Sequence, residues 1–273
     1  MKVSLITATY NSSKYLEDCI RSVINQRYPH IEHIIVDGGS SDGTLSIIRN
    51  YENHISTWVS EKDNGMYHAI NKGMQLATGD IIGILNSDDL LASPDVISDI
   101  VYCFNNNDVE SIYGDLVYVD AADTSIVHRF WQGQDYKRSR FNYGWMPAHP
   151  TFYFKKELIN KFGGYKNHYQ TAADYELMAR YLFLNNVSAM YVPKLLVRMR
   201  VGGASNSSLS RRIRANRRDY LAMKKNKVPM PLMASILKPV RKLPQYYKSY
   251  MYNFFEKYKQ EGGILRPISV TSK

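Results

Sequence analysis

What most restricts the fold of this chain is the way its first 90 residues alternate short apolar runs with stretches of helical spacing. "VSLITAT" (Val3–Thr9) reads as a strand, and "SSKYLEDCIRSVINQ" follows with Leu16, Cys19, Ile20, Val23 and Ile24 spaced for one helix face. "IEHIIVD" (Ile31–Asp37) is a second strand, "TLSIIRNYE" a second helix and "STWVS" a third strand, and a helix from about Met66 to Ala77 leads into "DIIGIL". Strand and helix alternating at this spacing argue for a parallel sheet with helices on both faces. In such sheets ligands bind beyond the carboxyl ends of the strands. The residues in those positions are Thr9-Tyr10-Asn11, Asp37-Gly38-Gly39-Ser40 and Asn86-Ser87-Asp88-Asp89, so the pattern gathers them on one edge.

At 273 residues the chain can bury a sizeable core, and 44% apolar against 22% charged residues excludes bulk disorder. Cys19 and Cys103 make neither a disulfide framework nor a metal cluster and fit a reducing compartment. The first apolar run is too short for a secretory signal, and no run reaches the roughly 18 residues of a membrane span. The expectation is a cytoplasmic protein, either free or peripheral at the inner face of the cell membrane. Net charge is +10, unevenly placed: residues 211–273 carry 16 Lys and Arg against 3 Asp and Glu, which leaves 19 against 22 upstream. The upstream acids are free for site chemistry, and the tail faces something anionic. No recognised binding module accompanies the basic run, so no nucleic-acid partner is expected.

"GILNSDDLL" (Gly83–Leu91) sets two carboxylates side by side after an apolar run. Like charges so close need solvent, a cation or another positive partner, and the residues alone leave a solvated loop and a metal or sugar site equally open. "DGGSSDGT" (Asp37–Thr44) has glycines for a tight turn and Ser40, Ser41 or Asp42 to cap a helix, and by itself reads as no more than that. Neither G-x-x-x-x-G-K-[ST] nor G-x-G-x-x-G occurs, so ATP hydrolysis and dinucleotide redox chemistry lack their signatures.

Five stretches in order, "TATYNSSKYLEDCIRSVINQ", "IIVDGGSSDGT", "DNGMYHAINKGMQLATGD", "GILNSDDLL" and "TAADYELMARY", strongly resemble family 2 glycosyltransferases, especially bacterial members that build surface polysaccharides. The resemblance covers about residues 1–200. It implies an α/β GT-A fold with a mostly parallel central sheet flanked by helices, a nucleotide-diphosphate sugar as donor, a divalent cation (Mn²⁺ or Mg²⁺) and inversion at the anomeric carbon. It places Asp88 and Asp89 in the family's D-x-D region, with Asp89 in direct contact with the metal and Asp88, beside Ser87, at the ribose or metal shell. Asn86 stands where many relatives carry a further acid, which implies a weaker grip on the ion.

For the nucleotide, the resemblance implies a stacking face on Tyr10, backbone contacts from Thr7, Ala8 and Thr9, and a carboxylate, Asp37, accepting from the imide N–H of uracil or thymine. Gly38 follows Asp37 where many relatives have a second acid. Asp63, Asn64 and Lys72 are implied near the donor sugar or diphosphate, and His68 as a helix-surface or packing residue. Asp174, which follows Ala173 at the start of a helix, is implied as the base that takes the acceptor's proton, with Glu176 as the fallback. Capping its helix is the other role open to Asp174.

Further on, "SIYGDLVYVD" and "IVHRFW" alternate like a hairpin. Asp115, Trp145, His149 and the loop at Gly163-Gly164 are candidate acceptor contacts, although Trp145 serves equally as core and His149 as a structural hydrogen-bonder. The expected division is a catalytic domain over 1–205, with a nucleotide half of about 1–110 and an acceptor half of about 111–205, and a basic helical appendage over 206–273. The Gly/Ser-rich "GGASNSSLS" between them suits a loop closing over the donor. From about Lys224 the tail interleaves apolar, aromatic and basic residues, which suits an anionic bilayer surface or helices packed on the domain with a solvated basic face. The reading is an inverting glycosyltransferase moving a sugar, from UDP by expectation, to a lipid-linked or growing polysaccharide acceptor. The alternative is a non-catalytic nucleotide-sugar-binding protein or another nucleotidyl-sugar enzyme.

Overall fold

The structure, a computed structural model, describes residues 1–202 and 209–260. The first half of the chain forms the parallel part of the sheet: β1 (Val3–Thr9), β2 (Ile31–Asp37), β3 (Thr57–Ser60) and β4 (Ile81–Ile84), lying side by side as β3-β2-β1-β4. β1, β2 and β4 are buried along nearly their whole length, which is why they read as continuous apolar runs and not as alternations. Helices α1 (Leu16–Ile24), α2 (Thr44–Asn50) and α3 (Met66–Leu76) make the crossovers. α1 buries Leu16, Cys19, Ile20 and Val23, the face its spacing foretells. α3 lies so close to β1 that a Cβ at Gly73 would collide with Ile6.

The second half comprises β5 (Leu90–Leu91), α4 (Val96–Asn106), β6 (Ser111–Val119), β7 (Val127–Trp131), β8 (Tyr153–Lys155), α5 (Glu157–Phe162), α6 (Ala173–Met178) and β9 (Ala189–Arg200). β8 runs antiparallel between β4 and β6 and joins the two halves into one mixed sheet, β3-β2-β1-β4-β8-β6-β9-β5. β7 pairs with β6 as the expected hairpin.

The basic tail is helical: α7 (Leu209–Lys225), α8 (Pro231–Val240) and α9 (Leu243–Gln260). It is also part of the body. Ala222, Met223, Val228 and Ala234 lie in the same buried cluster as Phe141, Trp145 and Tyr175. α9 packs along β7, where Asn253 bonds both the N–H and the C=O of Val127 and the Tyr252 ring meets Phe130 at 5.5 Å. Most of the expected closing loop, residues 203–208, and with it the expected 205/206 boundary, lies outside the described residues. Among the described residues no helix is long and apolar enough to cross a membrane.

Candidate active site

The carboxyl ends of β1 to β4 open into a cleft of about 1370 Å³. Tyr10, Gly38, Asp63 and Asp88 line it from the strand ends, and Trp131, His149 and Asp174 from the second half. That is larger than the roughly 300–1,000 Å³ of a site for one small ligand.

The loops after β1 and β2 are tied together by hydrogen bonds. Asn11, at a left-handed φ of 48°, gives its backbone N–H to Ser40 Oγ and accepts from Ser41 N through Oδ1. Asp42 accepts from Thr44 N, just inside α2, and from Ser13 N in the neighbouring loop; the Thr44 bonds hold its carboxyl well below the usual range. Ala8, Thr9 and an exposed Tyr10 border the cleft, as expected. Thr7 does not: it is buried one residue deeper, its hydroxyl 3.1 Å from His33 Nε2. Asp37 also departs from expectation. It is fully buried, and its two carboxylate oxygens accept from Gly39 N (3.1 Å), Ser40 N (2.9 Å), Ser40 Oγ (2.5 Å) and Ser60 Oγ (2.7 Å). Fully buried behind these four donors and absent from the cleft lining, Asp37 folds the loop and does not present its carboxylate to a ligand there.

The two acids after β4 are placed differently from the expectation that puts Asp89 at a metal. Asp89 is fully buried, with Oδ2 accepting from Asn86 Nδ2 at 2.7 Å and Oδ1 from Arg200 N at 3.2 Å. Asp88 is the one that borders the cleft, with Ser87 and Asn86 beside it. Burial, reinforced by the adjacent Asp88, pushes the Asp89 carboxyl well up; burial also raises Asp88. Arg200 frames the pair from below, donating to the Asp88 carbonyl at 2.9 Å and to Asp18 at 2.6 Å. Among the described residues no three metal-ligating side chains converge. One open carboxylate with an amide beside it fits a hard cation that takes most of its oxygens from a diphosphate, in the manner of Mg²⁺ at phosphate sites. Asp88, with Asn86 alongside, would hold it.

Asp63 and Asn64 line the cleft after β3. Lys72 is instead paired with Glu61. His68, read as a packing residue, borders the cleft with its Nδ1 buried and unpartnered among the described residues.

In the second half, Asp174 sits in the first turn of α6 and borders the cleft; its Oδ1 accepts from Tyr175 N at 2.7 Å. The backbone just before it is strained, with Gln170 at φ 46° and ψ −120°. Glu176 cannot replace Asp174. It is fully buried, held by Arg180 (3.0 Å) and Lys166 (3.1 Å), and although burial raises its carboxyl these partners bring it below the usual range. His149 borders the cleft but is buried, its Nε2 2.5 Å from Tyr165 OH, and burial lowers its basicity. Trp145 is corrected to core: 5% exposed, it packs edge-on against Tyr113 and Phe141. Asp115 is likewise internal, accepting from Gly133 N and Tyr191 OH. Gly163 and Gly164 give their carbonyls to Arg180.

Trp131, from β7, and Tyr118, from β6, also border the cleft from the second half, beside Arg129, whose guanidinium lies 3.5 Å from the Tyr118 ring centre. Lys238 reaches the cleft from α8, bonded to Asp219 at 2.6 Å and 4.5 Å from the Tyr175 ring centre. The alternation of "VHRFW" points to a strand with Arg129 and Trp131 on one face, which is the signal that was available for them. Nothing local marks Lys238.

A model of glycosyl transferase family 2 matches residues 4–163. An uncharacterized glycosyltransferase of Mycobacterium tuberculosis is 32% identical over 187 residues, 65% of this chain and 68% of its own. The putative teichuronic acid biosynthesis glycosyltransferase TuaG of Bacillus subtilis is 42% identical over 90 residues, 32% of this chain and 36% of its own. Among solved structures, S. aureus TarS 1–349 in complex with UDP-GlcNAc superposes with a TM-score of 0.61 at 16% identity, covering 91% of this chain and 79% of that one. The mannosyltransferase PcManGT from Pyrobaculum calidifontis, in complex with GDP-Man and Mn²⁺, gives 0.63 at 21%, covering 91% and 73%. At such identities the two structures speak for the GT-A fold alone. The family model spans more than half of the chain and ends beyond the strand that joins the sheet's two halves, so the chain belongs to glycosyl transferase family 2, whose members take their sugar from nucleotide-sugar donors.

Proposed function

We propose that this enzyme moves a sugar from a UDP-sugar to a lipid-linked or growing envelope glycan, inverting the anomeric carbon, with Asp174 as the general base. The observation that carries the reading is the carboxylate of Asp174 on the wall of the cleft that Tyr10 and Asp88 also border, one oxygen fixed by Tyr175 N–H and the other without a hydrogen bond among the described residues. The acceptor hydroxyl gives its proton to that carboxylate as its oxygen bonds the anomeric carbon. The bond from that carbon to the diphosphate oxygen breaks, and the nucleoside diphosphate departs with the electron pair. Attack on the face opposite the leaving group inverts the configuration. Arg129 brings positive charge to the cleft, and Lys238 borders it while paired with Asp219, so both can respond to negative charge that develops on the leaving group. A divalent cation bound at Asp88 would add to that neutralisation. Binding of UDP-GlcNAc by TarS supports the choice of UDP, and TuaG's naming for teichuronic acid supports an envelope glycan as acceptor.

The tail supports a membrane location for this reaction. α8 and α9 expose Leu232, Ile236, Val240, Leu243, Tyr247 and Tyr250 in a segment rich in Lys and Arg, a combination suited to anionic lipid. The full chain should sediment with vesicles containing phosphatidylglycerol and release with salt, and Ile236→Ser with Tyr247→Ser should weaken this. Sedimentation unchanged by those substitutions would remove the membrane from the reading.

Catalysis is tested by incubating the full chain with UDP-sugars, Mn²⁺ and a lipid-linked oligosaccharide, and reading the new linkage by NMR. The product should have the anomeric configuration opposite to the donor's. Asp174→Asn should lose about 10²-fold or more in turnover while still binding UDP. A retained configuration, or undiminished turnover in Asp174→Asn, would refute the mechanism.

A further inference from the structure

Resting on the donor reading above, we infer that Asp63 Oδ2, lying over Gly38, is the acceptor that reads the Watson–Crick-edge N–H of the donor's uracil. Three observations meet at this corner. The first is that Asp37 is fully buried and already accepts from four donors, so the carboxylate nearest in sequence to the base site is unavailable.

The second is the empty side of Gly38. This residue borders the cleft, and a Cβ built on it would stand 2.7 Å from Asp63 Oδ2 and 3.1 Å from Asp63 Cγ. The space that a side chain at position 38 would fill is occupied by the carboxylate of Asp63. Glycine after Asp37 is therefore matched to an acid arriving from the next strand end.

The third is how that carboxylate is held. Oδ1 accepts from Gly65 N at 2.7 Å, across a turn in which Gly65 takes φ +105°, a conformation few other residues adopt. Oδ2 has no hydrogen bond among the described residues, and Asp63 is one of the residues that border the cleft. One oxygen fixes the side chain and the other is left to accept.

The position within the sheet says which part of a nucleotide this oxygen meets. Tyr10, Gly38 and Asp63 follow β1, β2 and β3, which lie side by side, whereas Asp88 follows β4 on the other side of β1. A diphosphate at Asp88 puts the base in the β1-β2-β3 corner, against the exposed ring of Tyr10. A carboxylate there accepts from the N3–H of uracil. Cytosine presents a lone pair at the same place and is repelled.

The test is calorimetric titration of the full chain with UDP and CDP in Mn²⁺. The unsubstituted protein should bind UDP at least 10-fold more tightly than CDP. Asp63→Ala should weaken UDP by about 10- to 100-fold, the range for a hydrogen bond to a charged group, and reduce the preference over CDP. Gly38→Asp alone should also weaken UDP, because it forces two carboxylates together. Combining Gly38→Asp with Asp63→Ala should recover at least part of the UDP affinity by returning one acid to the same space. If UDP binds and Asp63→Ala leaves both its affinity and the preference over CDP unchanged, the assignment is wrong while the donor reading stands. If the unsubstituted protein binds no nucleoside diphosphate, the donor reading fails and the assignment with it. Melting temperatures of the three variants separate lost recognition from lost fold.

Discussion

Replacing Glu176 with alanine tests whether the second acid of α6 serves chemistry or architecture. Its carboxylate is fully buried and takes three hydrogen bonds from Arg180 and an ion pair from Lys166, while Arg180, itself 6% exposed, also donates to the carbonyls of Phe162, Gly163 and Gly164. Removing one partner of a buried pair costs about 3–5 kcal/mol, because the remaining charge stays desolvated. An unfolding entropy of about 2.1 cal/mol/K per residue over 273 residues amounts to ~0.6 kcal/mol per kelvin. Glu176→Ala should therefore melt about 5–9 °C lower at pH 7 by calorimetry, with Asp174→Asn within about 2 °C of the parent. The pH dependence has a definite sign. The folded Glu176 carboxyl is held below its ordinary value, so its stabilisation is complete above the unfolded value of about 4.3 and fades as pH falls through the folded one. The difference between parent and variant should shrink in acid. An unchanged melting temperature together with collapsed turnover would overturn this account and return Glu176 to candidacy as the base.

Asp88→Asn should weaken UDP binding in Mn²⁺ by 10-fold or more and leave binding in chelator unchanged; equal loss under both conditions would argue against a cation at this acid. Because burial raises the Asp88 and Asp89 carboxyls, protons should compete with a cation there, so Mn²⁺-dependent UDP affinity should fall as pH is lowered, whereas binding in chelator should change less. Trp145→Ala should destabilise the fold by about 3–5 kcal/mol in denaturant titration, whereas Trp131→Ala should fold normally and raise the KM for acceptor.

The parallel half of the sheet was legible because its signals are local: apolar runs of strand length, one helix face at 3.6-residue spacing, and polar residues at each strand end. What escaped depends on partners far along the chain. Which of Asp88 and Asp89 faces the cleft is decided with Arg200, from the last strand, and with Asn86, whose amide turns towards Asp89. Asp37 is held partly by Ser60, which the pairing of β2 with β3 brings near. Trp131 and Trp145 are alike as residue types, and only the packing of the second half puts one in the cleft and the other in the core. β8, three residues long and antiparallel between two longer strands, has too little pattern of its own to be recognised.

The tail helices present two sets of side chains, and the helical period separates them. On α8, Ala234 and Lys238 are four residues apart and face inward, one to the core and one to the cleft; Leu232, Ile236 and Val240 form a second row at the same spacing and face out. On α9, Ser249 and Asn253 bond the backbone of β7, while Leu243 with Tyr247 and Tyr246 with Tyr250 make outward pairs. Helices patterned this way can lie on a lipid surface without withdrawing Lys238 from the cleft, so membrane binding and donor binding should be independently removable. Ile236→Ser with Tyr247→Ser should reduce sedimentation with anionic vesicles and leave UDP affinity intact. Lys238→Gln should lower UDP affinity and leave sedimentation intact. Should substitutions on the outward rows weaken UDP as much as they weaken vesicle binding, the two faces are not separate, and the tail acts on the site through its packing alone.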